Sequence, residues 1–254
     1  MLYFLYDRTF DGLLTAVFDA FNRKEFPNRI VDQAIAIPLF TDTFSVITDV
    51  EKSKRVFIAL KKKISTSALN MLFVCYLSEM EDVEMMIFRY IQKALASPIS
   101  IELNFADNDV LSLSKIYKKV QNEAMHIKQF VRFQKTGDGM YFAVVDPLYD
   151  VLPLCSDFFE DRYADQIWLI YDARRHYGLY YDKKQTEQIH FETPPAFAIQ
   201  KGRLTAEQQD ETERIFQALW KDYLKSTTIQ ARKNLRLQRQ FMPRRFWKYL
   251  VEKQ

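Results

Sequence analysis

The sequence predicts an α+β protein with a helix-rich N-terminal half, an antiparallel sheet meander in the second half and a basic helical C-terminus. Two observations predict this order: apolar residues recur at helical spacing through the first half, whereas β-rich runs with short loops follow residue 130. The chain has 254 residues, of which 48% are hydrophobic and 27% charged. A chain of this size buries enough surface to fold without disulfides or a structural metal.

The first half begins with a short strand and continues mainly as helices. Residues 2–6 are predicted to form a buried strand, and residues 10–21 have the i, i+3, i+4, i+7 spacing of an amphipathic helix. Residues 43–48 predict a second strand, and residues 49–96 a helix-rich block. A long helix with one apolar stripe is then predicted over residues 110–127.

After this helix the pattern changes to that of a sheet. The β-rich runs 130–134 and 140–145 flank five residues that include two glycines, which indicates a hairpin. Short loops between three further candidates favour an antiparallel meander. These strand candidates are residues 166–171, 176–181 and 188–192. Thr205 and Gln208 then have the spacing of a capping box, which predicts the start of a helix that continues to Leu224.

The polar stretch 104–108 is the predicted seam between two parts of the chain. We expect a mainly helical subdomain over residues 1–104. Residues 105–254 would hold the antiparallel sheet and further helices, ending in a basic segment over 225–254. A single compact unit is the alternative.

Charge is distributed unevenly along the chain. The formal net charge is +3, yet residues 225–254 carry nine basic residues against a single acid, Glu252. Residues 1–224 carry 27 basic and 32 acidic residues. Such asymmetry is typical of contact with nucleic acid or another polyanion. The alternative is a solvated tail, or a helix face that docks on the acidic body.

The basic segment combines arginines, which bind phosphates bidentately, with aromatic rings that stack on bases. If residues 229–240 form one helix, Arg232, Arg236 and Arg239 share a face. Pro243 predicts the start of another short helix, with Phe246 directed inward. The candidate nucleic-acid-binding residues are Arg232, Lys233, Arg236, Arg239, Arg244, Arg245, Trp247 and Lys248.

Motifs for metals and cofactors are missing from the sequence. It contains no Cys-x-x-Cys or His-x-x-His spacing, no phosphate-binding loop and no Gly-x-Ser-x-Gly nucleophile elbow, so we expect no metal and no cofactor. Glu123 and His126, spaced i, i+3, and Asp172 are candidates for acid–base catalysis. A structural carboxylate–imidazole pair is the alternative for the first two.

Cellular location is predicted from hydropathy and cysteine content. No apolar run approaches the length of a membrane span, and the apolar residues near the C-terminus are too scattered for a helix lying on a membrane surface. Cys75 and Cys155 are an isolated pair, which fits a reducing compartment. We expect a soluble cytoplasmic protein without a membrane partner.

Several segments resemble those of one bacterial family assigned to DNA metabolism or DNA repair. The most specific is the long run Arg-Lys-Asn-Leu-Arg-Leu-Gln-Arg-Gln-Phe-Met-Pro-Arg-Arg-Phe-Trp-Lys-Tyr-Leu near the end of the chain. The opening Tyr-Asp-x-Thr-Phe-x-Gly-Leu-Leu-Thr-Ala-Val-Phe also fits. The matching segments are Tyr6–Phe18, Glu123–His126, Phe130–Phe133, Val151–Leu154, Trp168–Asp172 and Arg232–Leu250.

The resemblance implies DNA as a partner, together with a radical-SAM protein assigned to DNA modification, beside which members of that family are typically encoded. In some relatives the shared domain is fused to a uracil-DNA glycosylase domain. Relatives often carry His at a position matching Phe158 or Phe159, and at that of Phe241, so imidazole-dependent roles at these positions are weakened here. The resemblance supplies no catalytic residues.

Together these observations predict a DNA-binding accessory protein that acts with a radical-SAM partner in DNA repair or modification. The chain lacks the three closely spaced cysteines of a radical-SAM cluster, so that chemistry would belong to the partner. Two alternatives stay open. One is an enzyme acting on damaged DNA or nucleotides, and the other is a protein-interaction adaptor whose basic tail docks onto an acidic partner.

Overall fold

A computed structural model describes residues 1–193, 204–205 and 208–253. The α+β class is confirmed, because helices predominate in the first half and a sheet of five strands lies in the second. The chain divides into two compact units, unit 1 over Met1–Gln121 and unit 2 over Asn122–Gln254. The sequence analysis placed the seam at residue 104, before the long helix within which this division falls.

Unit 1 contains a small parallel sheet and several helices. Its strands, in the spatial order β2-β1-β3, are β1 (Leu2–Tyr6), β2 (Arg29–Asp32) and β3 (Asp42–Ser45). Helix α1 (Phe10–Arg23) connects β1 to β2 as a crossover, which parallel pairing requires. Thr9 begins this helix, because its hydroxyl accepts a hydrogen bond from Gly12 N at 2.9 Å.

The predicted helical block consists of three helices, followed by the long one. They are α2 (Val50–Lys61), α3 (Thr66–Tyr76), α4 (Val83–Ala96) and α5 (Asn108–Phe130). Asp49 and Ser65 cap α2 and α3 with their side-chain oxygens. The apolar stripe predicted for α5 is buried, from Val110 to Ile127.

Unit 2 contains a mixed sheet in the order β4-β5-β6-β7-β8. Its strands are β4 (Gln134–Lys135), β5 (Tyr141–Val145), β6 (Trp168–Asp172), β7 (Tyr177–Tyr181) and β8 (Thr186–His190). The hairpin β4–β5 and the antiparallel meander β6–β7–β8 are confirmed. The pair β5–β6 is parallel, which corrects the purely antiparallel prediction. The connection over residues 146–167 holds helix α6 (Ser156–Arg162) and is long enough for a crossover.

The C-terminal part of unit 2 is a series of short helical elements. They are α7 (Glu213–Thr227), the 3₁₀ turn Gln230–Arg232, α8 (Leu235–Phe241) and the 3₁₀ turns Arg244–Tyr249 and Val251–Lys253. Gln208 Oε1 accepts a hydrogen bond from Thr205 N at 3.0 Å, as a capping box predicts, although Ala206 and Glu207 lie outside the described residues. The helix itself begins later than predicted, at Glu213.

Residues 229–240 do not form one helix, so the condition under which Arg232, Arg236 and Arg239 would share a face is not met. Asn234 has an extended backbone, and its side-chain oxygen accepts a hydrogen bond from Leu237 N at 3.0 Å. An Asn in this position begins a new helix, because its oxygen satisfies a free N–H of the first turn. Arg232 therefore lies on the preceding turn, apart from Arg236 and Arg239 on α8.

Candidate nucleic-acid interface

A cleft of about 830 Å³ lies in unit 2 beside α7. Its walls come mainly from α7, from the segment 227–234, and from the turn Val251–Lys253, which packs against α7. The lining side chains are mostly polar or basic, and Trp220 adds an aromatic ring. The charged side chains of the lining are therefore mainly basic.

Six cations and a single acid line this cleft. The acid, Glu252, accepts hydrogen bonds from Arg132 Nη2 at 2.7 Å and from Trp220 Nε1 at 3.2 Å. Burial acts to raise the pKa of Glu252, but the hydrogen bond and charge of Arg132 hold it below its ordinary value. Glu252 is therefore ionised and neutralises Arg132. The other five, called the cleft cations, are Lys221, Lys225, Arg232, Lys233 and Lys253.

The cleft cations lack acidic partners in the part of the chain that the structure describes. No Asp or Glu oxygen there lies within 4 Å of their side-chain nitrogens, and all five side chains are exposed. The Nζ atom of Lys253 lies 5.0 Å over the ring of Trp247. Exposed cations without carboxylate partners can neutralise phosphates and release counterions as they do so.

Two of the eight predicted binding residues, Arg232 and Lys233, line the cleft. Arg236 and Arg239 are exposed on α8, outside its lining. Arg244 is also exposed, and its guanidinium lies 5.8 Å over the ring of Trp247. The structure therefore separates the predicted residues into a cleft pair and three peripheral arginines, with three further residues bound to the body of unit 2.

These three residues, Arg245, Trp247 and Lys248, lie on the turn Arg244–Tyr249. Arg245 Nη2 donates a hydrogen bond to Glu123 Oε2, and Trp247 Nε1 donates to the carbonyl of Met242 at 3.0 Å. Lys248 Nζ donates to Asp146 at 2.8 Å; burial acts to lower its pKa, but this bond keeps the pKa above its ordinary value. Their polar groups thus stabilise the fold of unit 2.

Glu123 and His126 form part of the same packing. Glu123 is 3% exposed, and besides Arg245 it accepts a hydrogen bond from Leu148 N at 2.9 Å. His126 Nδ1 lies 3.8 Å from Glu123 Oε2. Burial, assisted by the charge of Arg245, lowers the pKa of His126 against the opposing effect of Glu123. This environment favours the structural alternative for the pair.

Asp172 is fully buried at the end of β6. It accepts hydrogen bonds from the backbone N–H of Arg174 at 2.8 Å and of Arg175 at 3.2 Å, and Arg175 Nη1 donates to it at 3.0 Å. Burial raises the pKa of Asp172 despite the opposing charge of Arg175. These bonds hold the turn from β6 to β7. The cleft lining includes none of the three acid–base candidates.

The sequence analysis missed part of the cleft. Lys221 and Trp220 belong to a helix that was interpreted only through its apolar periodicity, and the basic segment was counted from Lys225 onward. The i, i+4 spacing of Lys221 and Lys225 was the available signal, because it places both on one face of α7. No local pattern pointed to Arg132, which precedes the sheet of unit 2.

Other chemistry has limited support in the described ranges. No group of three or more His, Cys, Asp or Glu side chains there could hold a metal ion. Cys75 and Cys155 are buried, and this burial raises the pKa of each thiol to about 12. None of the described helices combines the length and hydropathy that a membrane span requires.

Comparison with known proteins gives one match. Neither a curated protein sequence nor a solved structure is similar to the chain. The sequence model of a domain of unknown function, DUF4130, matches residues 81–252, which is more than half of the chain. The matched range includes every residue that lines the cleft except Lys253. The chain belongs to the DUF4130 family.

Proposed function

We propose that this protein binds DNA through the cleft in unit 2, as an accessory protein in DNA repair or modification. The observation that carries the proposal is the group of five cleft cations, none with a carboxylate within 4 Å among the described residues. Phosphate contacts supply most of the affinity in DNA binding, and unpaired Lys and Arg side chains provide them. The resemblance of the chain to a family assigned to DNA metabolism favours DNA over other polyanions.

The same resemblance supports a radical-SAM protein as the partner. Both cysteines of this chain are buried and lie in different units, so the iron–sulfur chemistry would reside in that partner. Isothermal titration with a purified radical-SAM protein of the kind that the resemblance implies tests this part of the proposal. We expect saturable binding, and an absence of heat at micromolar concentrations would contradict the partnership.

Salt-dependent DNA binding tests the role of the cleft. The affinity for a labelled oligonucleotide is measured by fluorescence anisotropy from 50 to 300 mM NaCl, as a single strand and as a duplex. Replacing Lys221, Arg232 and Lys233 by Ala should flatten the duplex slope of log K against log salt by about 2.7, since each phosphate contact contributes about 0.9.

A matched variant controls for net charge. Lys115, Lys118 and Lys119 are exposed on α5 and are not among the residues that line the cleft, so their replacement by Ala removes the same charge without changing the lining. We expect this control to keep the wild-type slope. DNA binding that is absent in both strand states, or equal slopes for the two triple variants, would contradict the proposed function.

A further inference from the structure

Helix α7 presents an exposed aromatic stripe beside the cleft. Phe216, Trp220 and Tyr223 are spaced i, i+4, i+7, so their side chains share one side of the helix. Phe216 is 62% exposed and Tyr223 is 57% exposed. The rings of Trp220 and Tyr223 are stacked, with centroids 5.7 Å apart and planes inclined by 23°. Flat rings on the surface of a helix offer stacking faces to other flat rings.

Trp220 joins this stripe to the cleft. It lines the cleft together with Lys221 and Lys225, whereas Phe216 and Tyr223 lie outside the lining. At 100° of rotation per residue, Lys221 and Lys225 project to one side of Trp220 and the other two rings to the opposite side. Helix α7 therefore has a cationic side and an aromatic side, with Trp220 at the border.

We propose that the cleft binds single-stranded DNA, with the sugar-phosphate backbone along the cleft cations and the bases stacked on Phe216 and Tyr223. Trp220 supports the stripe, because its ring already contacts Tyr223 and the guanidinium of Arg132, which lies 5.6 Å over it. This inference rests on the proposed function and specifies the strand state. In a duplex the base faces are covered by neighbouring bases, whereas an unpaired strand leaves them available to aromatic side chains. The stripe extends two helical turns, roughly 10 Å, which accommodates two or three nucleotides.

The chain offers a matched control on the same helix. Ile215 and Leu219 are 61% and 58% exposed, about as much as Phe216 and Tyr223, but their side chains are aliphatic. A surface that served a protein partner through burial of apolar area would use these side chains as much as the rings. Base stacking requires the rings alone.

The experiment compares three labelled 12-nucleotide probes at one salt concentration: oligo(dT), a 12-base-pair duplex, and a strand of the same length made of abasic sites. For the wild-type protein we expect oligo(dT) to bind at least tenfold more tightly than the abasic strand, and more tightly than the duplex. Phe216→Ala/Tyr223→Ala should lose about tenfold or more in affinity for oligo(dT) and nothing for the abasic strand. Ile215→Ala/Leu219→Ala should bind all three probes as the wild type does.

Each result decides between the alternatives. Equal affinity for oligo(dT) and the abasic strand, or an unchanged affinity in the double aromatic variant, overturns base stacking while leaving DNA binding intact. Tighter binding of the duplex than of oligo(dT) overturns the strand preference. An equal loss in the aliphatic variant assigns the surface to general apolar contact and also overturns the inference. If no probe binds, the proposed function fails as well.

Discussion

Two neighbouring stretches of the basic C-terminal segment hold their cations in opposite ways. Arg232 and Lys233 line the cleft and lack acidic partners among the described residues. Only about a dozen residues later, Arg245 is bonded to the buried carboxylate of Glu123, and Lys248 to Asp146. The same residue types, in the same run of positive charge, thus lack described carboxylate partners in one stretch and are bonded to carboxylates in the other.

The burial of neighbouring apolar residues accounts for this difference. Phe246 and Leu250 are buried, and the ring of Phe246 lies 5.3 Å from that of Phe130. Because these side chains enter the core of unit 2, Arg245, which precedes Phe246, and Lys248, which lies between the two, come close to its carboxylates. Residues 229–234 are all exposed, so nothing draws their charges inward. A count of basic residues therefore measures total charge, and the local apolar pattern decides how much of it is available.

The largest expected effect concerns stability and the bond between Arg245 and Glu123. Arg245→Met should lower the free energy of unfolding by about 3 kcal/mol, because Glu123 would stay buried without a compensating charge. Urea unfolding followed by tryptophan fluorescence measures this effect in unit 2, since all three tryptophans lie there. A loss below about 0.5 kcal/mol would show that the pair is as weak as an exposed one.

A second variant separates lost packing from stranded charge. Glu123→Gln combined with Arg245→Met removes both charges of this pair, and the amide oxygen can still accept the hydrogen bond from Leu148 N. We therefore expect the double variant to be more stable than Arg245→Met alone. If it is no more stable, the stranded charge of Glu123 does not carry the effect, and both variants lose stability because the guanidinium of Arg245, whose Cζ lies 4.6 Å from the centroid of the Phe246 ring, is missing.

Much of this tail was predictable, and the exceptions have physical reasons. The inward direction of Phe246 followed from its apolar character, and Pro243 does precede the turn that contains it. The pairing of Arg245 with Glu123 joins residues far apart in the chain, so no local pattern contains it. Asn234 was the local signal against one continuous helix over residues 229–240, because Asn is more favourable at the start of a helix than in its interior.

The folds of the two units were predictable to different degrees. The long helix α5 has a single apolar stripe from Val110 to Ile127, which predicts a helix with one buried face. The parallel pairing of β5 with β6 was harder to predict, because the sequence of a strand indicates which side chains are buried but not whether its neighbour runs parallel or antiparallel. Here the length of the connection, with α6 within it, was the signal for a crossover and parallel pairing.

The next largest effect concerns DNA binding, tested with one residue from each stretch: Arg232, which lines the cleft, and Lys248, which is bonded to Asp146. Arg232→Ala should flatten the duplex salt slope by about 0.9, which corresponds to roughly threefold in affinity between 50 and 200 mM salt. Lys248→Ala should leave the slope unchanged, since Asp146 already neutralises its ammonium group at 2.8 Å. Anisotropy titrations of both variants measure this. A steeper loss for Lys248→Ala than for Arg232→Ala would reverse the assignment of the two stretches.

A smaller effect is expected for the stability of the Lys248 variant. The side chain of Lys248 is 44% exposed, and its ammonium group shares Asp146 with Arg174, whose Nε lies 3.2 Å from the same carboxylate. Partly exposed pairs of this kind contribute about 0–1 kcal/mol, and Arg174 remains to neutralise Asp146. Urea unfolding of Lys248→Ala should therefore show a loss well below that of Arg245→Met. Equal losses would mean that burial of the partner carboxylate is not what distinguishes the two bonds.

The smallest effect is a pH dependence of folding that arises beside the Arg245–Glu123 bond. Burial and the charge of Arg245 hold the pKa of His126 below 6.5 in the folded protein, while the unfolded chain has the ordinary value. As the pH falls below about 6.5, the unfolded state binds a proton that the folded state does not, so the free energy of unfolding decreases. His126→Asn should remove this decrease over pH 5.5–7.5, whereas His190→Asn, an exposed change on β8, should retain it.

Comparing variants with the wild type cancels the contribution of Asp172, whose raised pKa acts in the opposite direction. If Arg245 causes part of the shift, Arg245→Met should also weaken the pH dependence, and an undiminished dependence in that variant would leave burial as the cause.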